Sequence, residues 1–151
     1  MLYITTQEYF LTLLPALPKN LKFIIYFYLV FLISTRMKEE KITDRNLDIE
    51  LTYWIGENAQ DNWDIIDKAN PKDIWFHLAG ESSSHIILRL PKKIRRQQLS
   101  KQTLFHCANI CKEHSKFASF KKKVVYTEIF NLSKGEKPGS VFTRREQYLT
   151  V

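Results

Sequence analysis

His77 and His85 stand close together in the chain, with Ser82, Ser83 and Ser84 leading into the second of them. Two imidazoles near Arg89 or Lys92 are what an RNA-cleaving enzyme would use for acid–base work. A serine beside a histidine also suggests a hydrolase, but no strand-to-helix nucleophile elbow and no obvious orienting acid accompany it. The simpler reading is that these groups hydrogen-bond and touch phosphate without turning a substrate over, and we expect no enzyme. Cys107, Cys111 and His114 fall at i, i+4 and i+7, on one face of a helix. Structural zinc usually takes four ligands from two separated pairs, and there is no second pair. The cysteines are therefore expected on an apolar stripe, with no metal and no cofactor.

The remaining chemistry is charge. The chain of 151 residues has 23 bases and 16 acids, for a net charge of +7. That charge is segregated. Up to Arg36 the balance is +2, from Met37 to Asp73 it is −5, and from Ile74 onward 15 bases face five acids, a net +10. Such a half suits a polyanionic partner. Its bases cluster at Arg89, Lys92, Lys93, Arg95, Arg96 and Lys101, at Lys112, Lys116, Lys121, Lys122 and Lys123, and at Lys134, Lys137, Arg144 and Arg145. Aromatics such as Trp75, Phe105, Phe120 and Tyr148 lie among them. One or two left out of the core could stack unpaired bases. Two cysteines cannot build a disulfide framework, so a reducing compartment, the cytoplasm, is expected.

Regular elements must position these groups. Ile49 to Ile55 alternates as a strand and stops at Gly56, and Asn58 to Asn70 has helical spacing through Ala59, Trp63, Ile66 and Ala69. Pro71 ends that helix. Asp73 to Leu78 and Ser84 to Leu90 read as a hairpin around the loop 79–83, and pairing centred on Glu81 would bring His77 beside His85. Ser100 is a candidate N-cap for a helix to about Ser115. Lys121 to Phe130 reads as a long strand, Lys134 to Gly139 as a turn, and Val141-Phe142 and Tyr148 to Val151 as short closing strands. The expected class is α+β, one domain with about two helices on a mainly antiparallel sheet.

The amino-terminal quarter reads differently. Phe23 to Ile33 is an apolar run of 11 residues between Lys22 and Arg36, well short of the roughly 20 that a spanning helix needs. Composition changes abruptly at Met37. The favoured expectation is that residues 1–36 are an apolar extension outside the true protein, with Met37 as initiator. The alternatives are a segment packed on the domain and a weak membrane anchor through 23–33, the latter making the protein a tethered nucleic-acid binder. Residues 37–48 are expected to be a charged lead-in to a domain over 49–151.

Several segments of that domain resemble the NFACT-R family. Asp73-Ile74-Trp75-Phe76-His77 followed by Ser83-Ser84-His85-Ile86-Ile87-Leu88-Arg89 is similar to its D-[IL]-W-F-H and S-H-[VI]-[VI]-L-R signature. Gly56-Glu57-Asn58-Ala59 with Asn62 resembles its G-[KR]-N-A-x-x-N element, with Glu57 where a basic residue is usual. Val124-Val125-Tyr126-Thr127 and Lys134-Gly135-Glu136-Lys137-Pro138-Gly139 resemble its V-x-Y-T strand and K-G-x-K-P-G turn. The resemblance implies an RNA-binding domain of ribosome-associated quality-control factors, which bind large ribosomal subunits carrying stalled peptidyl-tRNA. The loop 79–84 and the basic stretch 92–101 look closer to small stand-alone members. No counterpart of the NFACT-N domain or coiled coil is seen, so peptide tailing by this chain alone is not expected. The expected partner is RNA, either tRNA or ribosomal RNA on the large subunit. The expected contacts are His77, Ser83, Ser84, His85, Arg89, Lys92, Lys93, Arg95, Arg96, Lys121, Lys122, Lys123, Lys134 and Lys137.

Overall fold

Apolar residues at alternate positions build a sheet that is buried on both faces, as a computed structural model describing residues 18–25 and 37–151 shows. Strands β1 (Lys38–Asp44), β2 (Ile49–Ile55), β3 (Ile74–Leu78), β4 (Ile86–Leu88), β5 (Lys123–Glu128) and β8 (Gln147–Thr150) lie in the order β1-β2-β4-β3-β5-β8. Every pairing between them is antiparallel. Strands β6 (Leu132–Lys134) and β7 (Val141–Thr143) form a separate ribbon. The class is α+β, and residues 37–151 form one compact unit.

One face presents Leu51, Tyr53, Ile55, Ile74, Phe76, Leu78, Ile86, Leu88, Val124 and Tyr126. Helix α2 (Lys101–Glu113) covers it through Cys107, Ala108 and Cys111. The opposite face presents Trp54, Trp75, Ile87 and Val125 under Ile65 of helix α1 (Ala59–Lys68) and under Leu132 and Val141 of the ribbon. The buried side of α1 is turned from the one its spacing suggests. Asn62 and Ile65 are the buried residues, while Trp63 is half-buried and donates from Nε1 to the Ser140 carbonyl (2.9 Å).

The charged lead-in is a strand. β1 pairs with β2 along its whole length, from Lys38↔Ile55 to Asp44↔Ile49. It contributes almost no apolar surface, so alternation could not reveal it. Polar contacts hold it: Tyr53 Oη donates to Glu40 (2.6 Å), Trp54 Nε1 donates to Glu39 (2.8 Å), and Lys41 pairs with Glu50 (2.7 Å). A charged strand at a sheet edge also discourages pairing with other chains. Two other differences are small. The long strand breaks after Glu128 into a short 3-10 turn (Ile129–Asn131), and β6 adds a ribbon strand not expected from its sequence.

Among the described residues, no helix is long and apolar enough to cross a membrane. Residues 19–25 are helical. The rest of the apolar run 23–33 lies outside the described residues.

The buried carboxylate of Asp44 ties the β1–β2 turn to the start of α2. It accepts from the amides of Asn46 (2.9 Å), Leu47 (3.1 Å) and Ser100 (2.8 Å) and from Thr103 Oγ1 (2.7 Å). Burial alone would raise its pKa, but these four donors together hold it below the usual carboxylate value. Asp44→Ala should cost about 3 kcal/mol in urea unfolding, because it strands buried donors. Wild-type stability from this group should be full above the unfolded pKa near 4 and lost as pH falls through the lower folded value. In Asp44→Ala that acid-side loss should be correspondingly smaller.

Candidate nucleic-acid interface

The β3–β4 hairpin is fastened at its base by Asp73. Its buried carboxylate accepts from the amides of Asn70 and Leu90, both at 2.8 Å. Arg89 Nε lies 2.5 Å away, a contact of opposite charges rather than an aligned hydrogen bond. The Arg89 guanidinium also sits over the Trp54 ring, 3.8 Å from its centroid. This clamp accompanies the register Ile74↔Leu88, Trp75↔Ile87, Phe76↔Ile86. Continued by one residue, the register sets His77 against His85, with ring centroids 5.0 Å apart and planes nearly perpendicular.

A second element pins His85. Its amide donates to Asn62 Oδ1 (2.9 Å), and its carbonyl accepts from the Gly56 amide (3.0 Å). A Cβ on Gly56 would lie 2.1 Å from that same Asn62 oxygen, so only glycine leaves room for the bond. Burial pushes the His85 pKa down to about 3, with the neighbouring His77 adding to the effect. Burial also lowers the pKa of His77, whose Nδ1 lies 2.8 Å from the Leu78 carbonyl. Both rings are neutral at pH 7. They can accept or donate a hydrogen bond, but they do not supply a standing imidazolium.

A third element closes the site. The turn after β6 reverses at Gly139 (φ +81°), which packs so closely on α1 that a Cβ there would lie 3.1 Å from the Ala59 Cα. The turn is tied to α1 by Trp63 and by Lys134, which pairs with Asp67 (2.5 Å). Between these parts opens a cleft of about 540 Å³. Its walls are the start of α1 (56–59 and Asn62), His77 with the serine loop 82–84, the end of α2 (114–116) and the turn residues Pro138 and Gly139.

A family model described as the NFACT protein RNA binding domain matches residues 43–145. The chain belongs to the NFACT-R family. That is an RNA-binding domain family and not an enzyme family, and RNA is the partner class it supports. Coiled-coil domain-containing protein 25 of Mus musculus is 36% identical over 85 residues, covering 55% of this chain and 41% of that protein. Its homolog in Dictyostelium discoideum is 33% identical over 107 residues, covering 67% and 51%. The chain thus spans about half or less of these relatives. The C-terminal part of the fibronectin/fibrinogen-binding protein from Streptococcus suis shares the fold, with a TM-score of 0.63 at 24% identity over 78% of this chain and 46% of that one.

The NFACT-R signature divides into structural and cleft residues. Asp73 and Arg89 clamp the hairpin, and Gly56 and Asn62 hold His85, while His77, Ser83 and Ser84 face the cleft. Ser83 Oγ accepts from the Leu78 amide (3.1 Å), which fixes the loop. Among the bases, Arg96 is engaged with Glu128 (2.7 Å) and Gln147 (2.5 Å), and Lys134 with Asp67. Lys122 pairs with Glu81 (3.1 Å) in the hairpin loop, and Lys123 lies over the Tyr148 ring (4.1 Å). Lys121 is exposed at that same end of the sheet, and Lys137 is exposed beside the lining residue Pro138.

Lys92, Lys93 and Arg95 follow β4 at its far end. They are exposed, and Lys92 and Arg95 share shallow hollows with Lys72. The structure therefore separates them from the cleft by the length of the hairpin. Lys116, Asn58 and Gly139 line the cleft without having been singled out from the sequence as contacts. The motifs hold Asn58 and Gly139 and a basic cluster holds Lys116, but neither motif spacing nor charge says which members face outward. Cys107 and Cys111 are buried against the sheet, with burial raising both thiol pKa values. Among the described residues, no group of three or more His, Cys, Asp or Glu is placed to hold a metal ion.

Arg89→Ala should therefore act on stability. It leaves the buried Asp73 charge without its cation, and chemical denaturation should show a loss of about 2–3 kcal/mol. Lys92→Ala, at an exposed position, should stay within about 0.5 kcal/mol of wild type. Equal effects from the two changes would contradict these assignments.

Proposed function

We propose that this protein is a non-enzymatic RNA-binding module of the cytoplasm. In this reading it takes tRNA or ribosomal RNA into the cleft between α1, the serine loop and the Gly139 turn. Its setting is ribosome-associated quality control, on the large ribosomal subunit. The observation that carries the reading is convergence: residues 56–59 and Asn62, His77 with the serine loop 82–84, and 138–139, far apart in the chain, line one open cleft with Lys116 at its wall. Lys121 and Lys137 lie at the same end of the molecule. Backbone amides, hydroxyls and lysines are the groups that hold a phosphate backbone.

The histidines fit this role better than turnover. His85 is buried and both rings are neutral at pH 7, so neither stands ready as a cationic acid. Hydrogen bonding to a sugar or phosphate asks nothing more of them.

Each phosphate neutralised by a lysine contributes about −0.7 to the slope of log affinity against log salt for a single strand. The triple variant Lys116→Ala, Lys121→Ala, Lys137→Ala should flatten the slope of wild type by about 2 in a fluorescence-anisotropy titration. The triple variant Lys92→Ala, Lys93→Ala, Arg95→Ala should change it by less. The reverse order would move the RNA surface to the far end of the hairpin.

A further inference from the structure

On the face of the sheet that carries α1 and the ribbon lies a second hollow, of about 360 Å³. It adjoins the cleft, because His77 and Gly139 line both. Its floor is a row of cross-strand neighbours. His85 lies beside His77, Val125 pairs with His77, and Tyr148 pairs with Val125. Trp75 stands one row behind, with its ring edge to His85 at 5.1 Å between centroids. Ser140, Val141 and Thr143 of the ribbon, with Glu146, complete the lining.

Two polar atoms here lack partners among the described residues: Trp75 Nε1 and His85 Nδ1. Trp75 is 2% exposed and His85 1% exposed. A buried donor left unpaired bears the full loss of its hydration. Two such atoms on residues that line one hollow call for something that fills it.

We propose that this hollow is a slot for a single unpaired nucleobase of the bound RNA. The inference rests on the RNA reading above and names how part of the RNA is recognised. A base is flat and aromatic, with acceptors and donors alternating along its edge. The slot matches both properties. Trp75 offers an N–H donor, His85 a neutral ring nitrogen, and Glu146 a carboxylate acceptor. Tyr148, 44% exposed, offers a ring for stacking.

A phosphate does not suit the slot: among the described residues no lysine or arginine lines it, and Glu146 would repel it. An aliphatic group would leave Trp75 and His85 unpaired. Lys123, over the Tyr148 ring but outside the lining, is placed to meet the backbone phosphate of the inserted nucleotide. The carboxylate of Glu146, already accepting from the Thr143 and Tyr148 hydroxyls, favours a base with an exocyclic amino group. Adenine and cytosine have one, and uracil has none.

The test is equilibrium binding of the full chain to RNAs of about twelve nucleotides: oligo(A), oligo(C), oligo(U) and an abasic strand of equal length. Oligo(A) or oligo(C) should bind about tenfold tighter than oligo(U) and the abasic strand, as one read and stacked base allows. Trp75→Phe, which keeps a ring and removes the N–H, should erase that preference and leave abasic binding unchanged. Should the buried substitution unfold the protein, Tyr148→Ala at the exposed rim decides, with the same loss expected at unchanged melting temperature. If all four strands bind wild type alike, the slot is no base site, while the RNA reading stands. If none binds, both readings fall.

Discussion

The buried Asp73 carboxylate, shared between two backbone amides and Arg89, is the contact on which the site depends. It closes the base of the β3–β4 hairpin, and a hairpin fixed at its base has a fixed register. A slip of one residue in either strand would turn its histidine to the α2 face, toward Ile55 and Val124. The clamp thus acts at a distance: it sits at one end of the hairpin, and the cleft opens at the other. Removing a partner from a buried pair is costly because the remaining charge stays out of water. Asp73 and Arg89 therefore belong to the family signature without having to touch RNA.

The same logic separates the basic side chains into two kinds. Arg89 and Arg96 are part-buried and paired, so their charge is spent inside the fold. Lys116, Lys121 and Lys137 stand at the cleft end, and Lys92, Lys93 and Arg95 at the opposite end. A net charge of +10 over the last 78 residues describes both ends together and cannot tell them apart. Lys122 and Lys123 are intermediate, resting on Glu81 and Tyr148 at the surface, where an RNA phosphate can compete for them.

Much of this architecture is legible in the residues. Alternation marks β2, apolar runs rich in aromatic and β-branched residues mark β3 and β5, Pro71 and Pro91 mark element ends, and the symmetric spacing about Glu81 anticipates the contact of His77 with His85. β1 is not legible, because an edge strand held by Glu39, Glu40 and Lys41 carries no apolar period. Asp44 is hidden for the same reason: it reads as one more charge in a charged stretch, and only the arrival of α2 buries it. The orientation of α1 is missed because Asn62, a polar residue, takes a buried place to hold His85. In the site, motif membership points to segments that line the cleft, yet which member clamps and which faces outward is decided by strand pairing and by the Gly139 turn.

In the proposed function, RNA meets the hairpin-loop end of the sheet and not the basic stretch after β4. Amide chemical-shift mapping of the isotope-labelled chain, titrated with a short RNA, tests this most directly. The expected result is that resonances of Gly56 to Asn62, His77 to His85, Lys116 and Gly139 move together and saturably, while those of Lys92 to Arg96 stay in place. Saturable shifts confined to Lys92 to Arg96, with the cleft residues unmoved, would contradict it.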